Sequence, residues 1–265
     1  VDTRNGEDWF LHFQDKGAYG RVVHLQPMRW NNDWPVIGED LDGDGTGEPV
    51  HEFRKPRVAV PVSITTPADS DEFDKPVIGL QWQWQANPKE GWAFPTPGGT
   101  LRMFSVFQPD SIRSLWNTPN ILAQKTPADS FSARVKFRYT PRHVGERFGL
   151  VLFGTAYADV SIVNASDGLV VECRENAKAE KGGSDKTLFA FPVKGSDFSL
   201  YLRMIPGGKY KLGYGLSDNA ATWFDQVFTA QPGKWVGARL GLYMLRNNIT
   251  NDAGYADVDY FRMSK

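Results

Sequence analysis

Strict alternation of apolar and polar residues limits how this chain can fold more than any other feature. In the segment FSARVKFRY, every second residue from Phe131 to Tyr139 is apolar, and serine, arginine or lysine occupies the positions between them. Successive side chains of an extended strand point to opposite faces, so this pattern predicts an antiparallel strand with one buried face. Apolar residues at helical spacing are almost absent, which predicts an all-β protein.

Short segments of the same kind follow one another through the second half of the sequence. Gly, Pro, Asn and Asp turns separate them, and the clearest are RFGLVLFG, GLVVECRE, FSLYLRMI, WVGARLGLYML and YADVDYFRM. Many short strands with frequent turn residues are typical of a β-sandwich or a β-barrel.

Residues 51–70 are predicted to be a linker. Their sequence, HEFRKPRVAVPVSITTPADS, contains three prolines and no clear alternation, which is the composition of a connector that runs over a surface. The linker separates a small N-terminal piece, residues 1–50, from residues 71–265, whose length is typical of a single sandwich.

The N-terminal piece carries apolar side chains on both faces of its strands. Trp9, Leu11 and Phe13 alternate with Phe10, and Val22 follows on the next strand. Two or three strands cannot bury two apolar faces alone. We therefore expect this piece to pack on the sandwich or on further sheets.

The charge balance favours a neutral ligand. Lysine and arginine number 30, and aspartate and glutamate number 31, so no global field favours nucleic acid or an anionic membrane. The single cysteine, Cys173, excludes an internal disulfide and a thiolate metal cluster. Aromatic residues reach 13%, with nine tryptophans, a composition that suits a carbohydrate or a large core.

The chain is predicted to be soluble, because no apolar run reaches the roughly 18 residues that span a bilayer. No basic-then-apolar leader precedes the first strand, so the sequence leaves secretion and a cytoplasmic location both open. The first residue is Val1, which suggests that the polypeptide is processed or starts inside a longer one.

The acidic segment EDLDGDGTGEPV resembles half of a calcium loop. Asp40, Asp42, Asp44 and Gly45 stand where an EF-hand begins, but the twelfth position is His51 in place of the bidentate glutamate. The segment is therefore no EF-hand, and a cation site and a solvated turn both remain open.

The ordered succession of segments resembles family 43 glycoside hydrolases, the β-xylosidases and α-L-arabinofuranosidases. The first 50 residues, from VDTRNGEDWFLHF to GDGTGEPV, resemble the closing blade of their five-bladed propeller. Their C-terminal sandwich is resembled by SDEFDKPVIGLQWQWQANP, SLWNTPNILAQKTPADSFSARVKFRY, GERFGLVLF, GKWVGARLGLY and ADVDYFRM. The resemblance implies a concanavalin-like β-sandwich, or jelly roll, preceded by a partial β-propeller blade.

The same resemblance implies that no catalytic residue lies in this chain. Such enzymes invert the anomeric centre with an aspartate base, a second aspartate and a glutamate acid on earlier blades, and none of those motifs occurs here. Inversion needs two carboxyl groups about 6.5–9.5 Å apart across the sugar, which a partial blade cannot hold.

One substrate-adjacent residue is implied, Arg21. It matches the glycine-arginine position that, in related xylosidases, places a guanidinium beside the bound sugar. The alternative is an ion pair with Asp15 or Glu7 within the hairpin.

A structural Ca²⁺ is implied where the first and last strands of the sandwich are neighbours. Asp71 in SDEF and Asp259 in ADVDYF are its candidate ligands, because calcium prefers carboxylate and carbonyl oxygens.

The segment LQWQWQANPKEGWAF is the aromatic stretch best suited to sugar. On a strand, Trp82 and Trp84 share one face and the glutamines share the other, and sugars use both ring stacking and amide hydrogen bonds. We favour the core for these two tryptophans, which turns the glutamines outward. The predicted carbohydrate-binding residues are Gln81, Gln83, Trp92 and Trp116.

Residues 243–257 contain a polar loop before the last strand. In related xylosidases a loop of the sandwich closes the rim of the propeller pocket, and here Arg246 or Ile249 would stand at its tip. An ordinary surface loop is the alternative.

Three functions remain on the sequence alone. The first is a non-catalytic region that binds xylan or arabinoxylan for a hemicellulose-degrading enzyme. The second is a subunit or fragment of an inverting β-xylosidase or α-L-arabinofuranosidase whose catalytic blades come from elsewhere. The third is a homodimer in which the exposed hairpin covers itself.

Overall fold

The fold is given by a computed structural model that describes residues 1–58, 63–216 and 221–265. Contacts divide the chain into two units. The first comprises Val1–Lys16 and Arg21–Thr66, and the second comprises Gly17–Gly20 and Pro67–Lys265. Among these residues no helix is long and apolar enough to cross a bilayer.

The first unit contains one antiparallel sheet, sheet A, with the order β1-β2-β3. Its strands are β1 (Asp8–Asp15), β2 (Arg21–Asn31) and β3 (Trp34–Ile37). The register pairs Leu11 with Leu25 and Phe13 with Val23, and these four side chains are 44–63% exposed. As the sequence predicts, the sheet leaves an apolar face uncovered within its own unit.

The second unit contains sixteen short strands among the described residues. They are β4 (Gln83–Trp84), β5 (Ala93–Pro95), β6 (Leu101–Phe104), β7 (Val106–Phe107), β8 (Leu122–Lys125), β9 (Phe131–Thr140), β10 (Arg147–Phe153), β11 (Tyr157–Ala165), β12 (Gly168–Asn176), β13 (Lys186–Pro192), β14 (Asp197–Ile205), β15 (Lys209–Gly215), β16 (Thr222–Trp223), β17 (Phe228–Thr229), β18 (Arg239–Arg246) and β19 (Tyr255–Ser264). Single 3-10 turns form at Gly17–Tyr19, Leu115–Asn117 and Ala179–Lys181.

These strands form two sheets that enclose the core. Sheet B has the order β13-β12-β11-β10-β18-β8-β4, with β7 parallel to β18. Sheet C has the order β16-β15-β14-β9-β19-β6-β5, with β17 beside β15. The apolar face predicted from Phe131 to Tyr139 is buried between the sheets, and Val135 at its centre is fully inaccessible. The expected all-β sandwich is confirmed.

The turn Gly17–Gly20 belongs to the second unit. The Tyr19 hydroxyl donates to the Asp129 carbonyl and accepts from the Gly208 N–H. Gly20 has a φ of +82°, and a Cβ there would lie 2.6 Å from the Gly237 nitrogen. Only glycine permits both this backbone conformation and this close approach.

The linker prediction for residues 51–70 falls partly on residues 59–62, which lie outside the described residues. The described part of the segment forms no helix or strand. The Asp71 N–H and carbonyl then bond to the backbone of Phe261, so the chain joins the sandwich at that point.

Candidate functional site

Two of the predicted site residues, Asp71 and Gln81, contact each other and the core residue Trp82. The Asp71 carboxylate accepts hydrogen bonds from the Phe73 N–H (2.9 Å), the Gln81 amide (3.2 Å) and the Trp82 indole N–H (3.0 Å). Trp82 is buried, as the core interpretation predicts, and packs edge-on against Phe261. Gln81 is thus bound within the protein and does not turn outward.

The structure places Gln83 and Trp92 in different environments. Gln83 is exposed on β4, where its binding role remains a prediction. Trp92 is only 6% exposed, and its ring lies 5.3 Å from that of Trp84 in an edge contact. The expectation of an exposed Trp92 is wrong. The loop beside Gly91 folds the ring onto the sheet edge, where burial of a large apolar surface outweighs exposure.

Trp116 is half-buried and stacks on Phe153 at 5.6 Å. It belongs to a second apolar cluster on the outer face of sheet B, with Leu115 and Tyr157. One face of the ring is therefore used for packing, and its contact with sugar remains a prediction.

The two residues predicted to bind Ca²⁺ each have other partners. The Asp71 carboxylate accepts three N–H hydrogen bonds. Asp259 is exposed, and its carboxylate lies 3.4 Å from the Lys136 ammonium group. Binding of Ca²⁺ by these two residues stays a prediction.

Arg21 and the acidic loop lie in the first unit. Arg21 pairs with Asp15 in the register of β1 and β2, and its guanidinium lies 4.7 Å above the Phe13 ring. Glu7, the other predicted partner, accepts the Arg57 N–H and binds the Arg54 guanidinium, and both lower the pKa of its carboxyl. The role of Arg21 beside a sugar stays a prediction.

Oxygens of Asp40, Asp42 and Asp44 lie within 4.8 Å of one another. Asp40 accepts from the N–H groups of Gly43 and Gly45 and from Arg29. Hydrogen bonds within a turn explain this cluster without an ion.

A polar cluster on the outer face of sheet B was not predicted from the sequence. Asp159 on β11 stands opposite Arg174 on β12, and the Arg174 Nη2 donates to the Asp159 Oδ2 at 3.1 Å. Gly149 on β10 pairs with Tyr243 on β18. Because Gly149 has no side chain, the Tyr243 ring occupies that space and its hydroxyl donates to Asp159.

Arg174 binds a second carboxylate at the surface side of this cluster. Its Nη1 lies 3.2 Å from the Asp185 Oδ2, and the Asp185 Oδ1 accepts from the Tyr157 hydroxyl and from Asn176. The Tyr157 hydroxyl also accepts the Leu115 N–H at 2.9 Å. One guanidinium therefore connects two strands of the sheet to the segments that cover it.

Burial dominates the electrostatics of this cluster. Asp159 is fully inaccessible, and this burial raises the pKa of its carboxyl while Arg174 opposes the shift. Burial also raises the pKa of the Tyr157 and Tyr243 hydroxyls. Both tyrosines therefore remain neutral donors at physiological pH.

A cleft of about 340 Å³ opens beside the cluster. We call it the Arg174 cleft, and its polar lining consists of Gln108, Asp110, Arg113, Ser114, Arg147, Arg174, Ser184, Asp185 and Asn247. Among the described residues, four buried polar atoms around it have no hydrogen-bond partner. They are Arg147 Nη1, Arg174 Nε, Asp159 Oδ1 and Ser161 Oγ.

A larger hollow of about 620 Å³ lies in the first unit, lined in part by Trp9, Trp30 and Phe53. Two of its four lining carboxylates are used internally, since Glu7 binds Arg54 and Asp40 binds Arg29. The Arg174 cleft is the stronger candidate for a binding site. In the part of the chain that the structure describes, four buried polar atoms around it lack a hydrogen-bond partner, against one, the Trp9 Nε1, at the larger hollow, and such atoms are rare in proteins.

The fold is a concanavalin-like β-sandwich, and the outer face of its sheet B carries the polar cluster and the Arg174 cleft. Residues 70–264 match the family described as the β-xylosidase C-terminal concanavalin A-like domain, GH43_C2. The chain belongs to this family.

Curated relatives and solved structures agree with that assignment. A β-xylosidase from Formosa agariphila is 30% identical over 96% of this chain, which covers 45% of the relative. The chain thus spans about half the length of the curated relatives it matches. The GH43 protein BlXynB from Bacillus licheniformis has a TM-score of 0.79 at 23% identity, over 99% of this chain and 52% of that one. A bifunctional GH43-CE protein from Bacteroides eggerthii has a TM-score of 0.81 at 24% identity, over 100% of this chain and 33% of that one.

Proposed function

We propose that this chain is the non-catalytic, carbohydrate-binding accessory region of a hemicellulose-degrading glycoside hydrolase of family 43. The match of residues 70–264 to a β-xylosidase C-terminal domain carries the proposal. The near-zero net charge suits a neutral polysaccharide such as xylan or arabinoxylan. Within the sandwich, the buried Asp159 is bound by Arg174 and Tyr243, so a glycosidic oxygen cannot reach this carboxyl.

Calorimetric titration with xylotriose tests this proposal. We expect binding with a Kd on the order of 1 mM, because an open surface site desolvates little of its ligand. The control titration uses maltotriose, which has a different linkage and different sugar units. Absence of any response to xylotriose up to about 10 mM contradicts the proposal.

Sheet A favours a second function, part of a catalytic propeller. The exposed pairs Leu11 with Leu25 and Phe13 with Val23 form an apolar face that a neighbouring propeller blade would bury. The occupant we propose is the catalytic region that precedes this domain in the relatives, supplied by polypeptide outside residues 1–265.

Reconstitution of activity tests the second function. We expect residues 1–265 alone to leave a nitrophenyl xyloside intact, and hydrolysis to appear on mixing with the N-terminal half of the Formosa agariphila relative. The variant Leu11→Ser/Phe13→Ser should lose this reconstitution, whereas Leu80→Ser, at a fully exposed position of the second unit, should retain it. Hydrolysis by the isolated chain, or reconstitution that ignores Leu11 and Phe13, contradicts this function.

A further inference from the structure

We propose that the Arg174 cleft is a binding site for a neutral sugar, the end of a xylo-oligosaccharide or a pentose branch. This inference rests on the proposed carbohydrate-binding function and assigns it to one place on the sandwich. It replaces the aromatic segment around Trp92 as the expected site, because that ring is buried.

The charges around the cleft are balanced. Arg174 faces two carboxylates, Asp159 and Asp185. The Arg147 guanidinium lies 3.8 Å from the Glu172 carboxylate. Asp110 and Arg113 add one charge of each sign at the exposed rim. A site with this balance offers no net attraction to an anion or a cation, and hydroxyl groups suit it best.

The hydrogen-bonding groups match a polyol. Arg174 is 8% exposed and lines the cleft, and its Nε has no hydrogen-bond partner among the described residues. The more accessible part of the lining adds the Gln108 and Asn247 amides, the Arg113 guanidinium and the Asp110 carboxylate. A sugar hydroxyl is both a donor and an acceptor, so it pairs with guanidinium and carboxylate groups together.

The size and apolar lining suit one or two sugar rings. Ligand sites usually measure about 300–1,000 Å³, and the cleft, at about 340 Å³, is at the small end. Pro109 and Ile112 form the accessible apolar part of its lining and provide a surface for the C–H face of a pyranose.

The test is an NMR titration of the ¹⁵N-labelled chain with xylotriose. We expect amide shifts to concentrate at Gln108, Arg113 and Asn247. The variant Arg113→Gln/Asn247→Ala should bind at least about tenfold more weakly, because it removes two surface hydrogen-bonding groups. The control Arg138→Gln, on the outer face of sheet C, should bind like the unchanged chain. A dispersed amide spectrum shows that each variant is folded.

The possible results separate this inference from the proposed function. Binding that shifts other amides and ignores the double variant overturns the cleft as the site, but leaves the proposed function standing. Absence of xylotriose binding by the unchanged chain overturns both. A parallel titration with glucuronate tests the charge argument, because tighter binding of this acidic sugar than of xylose overturns the choice of a neutral ligand.

Discussion

Replacement of Arg174 by methionine should destabilise the second unit by about 3–5 kcal/mol. The change leaves the fully buried Asp159 carboxylate without its cation, and removal of one member of a buried ion pair has this cost. The Asp185 carboxylate loses the same partner. Urea denaturation followed by tryptophan fluorescence measures the change in the free energy of unfolding.

An exposed arginine provides the matched control. Arg138 and Asp197 form an ion pair whose side chains are 64% and 50% exposed, so Arg138→Met should cost less than about 1 kcal/mol. The double variant Asp159→Leu/Arg174→Met should recover part of the lost stability, because an apolar pair needs no charge compensation. Equal effects of the two arginine substitutions would refute the burial argument.

Removal of the Glu146 side chain should produce the second largest effect, a loss of about 2–4 kcal/mol for Glu146→Ala. Glu146 is fully buried. It accepts the Ser105 hydroxyl, the Gly254 N–H at 2.7 Å and the N–H groups of Arg142 and His143. Each buried donor left without an acceptor costs about 1–3 kcal/mol, and Ser105 and Gly254 are both buried.

The same carboxylate fixes one end of the predicted rim loop, residues 243–257. Gly254 approaches it so closely that a Cβ would lie 2.2 Å from the Glu146 Oε2. At the other end, Arg246 donates to the Ser105 carbonyl, while Ile249 between them is 82% exposed.

The control for Glu146→Ala is the surface substitution Glu72→Ala. The Glu72 carboxylate pairs with Arg262, and both side chains are about half exposed, so this substitution should cost under about 1 kcal/mol.

The effect of Glu146→Ala should depend on pH. Burial raises the pKa of the Glu146 carboxyl, but the Ser105 hydroxyl and the three N–H donors outweigh it and hold the pKa below its ordinary value. A carboxyl with a lower pKa in the folded state stabilises the fold fully above the unfolded pKa of about 4.3, and this contribution is lost as the pH falls through the folded pKa. The stability difference between the two proteins should therefore shrink in acid, and a constant difference from neutral to acidic pH would contradict this assignment.

The sandwich could be predicted because alternation records burial directly. From Phe131 to Tyr139, each apolar residue faces the core and each polar residue faces outward. Sheet A lacks this one-sided alternation, and its side chains are correspondingly less buried. The sequence places apolar groups on both faces of β1, and within its own unit Leu11 and Phe13 stay exposed.

The Arg174 cleft could not be predicted, because it depends on the register between strands. Asp159, Arg174 and Tyr243 lie on three strands and come together only through the pairing of β10 with β11 and β18 and of β11 with β12. In the sequence Arg174 reads as an ordinary polar position after Cys173. The prediction of an exposed Trp92 was wrong for a related reason. A loop residue beside a glycine can still fold back onto a sheet, and the sequence alone does not show this contact.

The most direct measurement is a single NMR experiment in which the isolated chain and xylotetraose are followed together for a day. The account predicts saturable amide shifts in the second unit while the anomeric signals of the sugar stay constant. Release of new reducing ends that stops when one of the chain's own carboxylates is replaced would contradict it, as would unchanged amide signals throughout the titration.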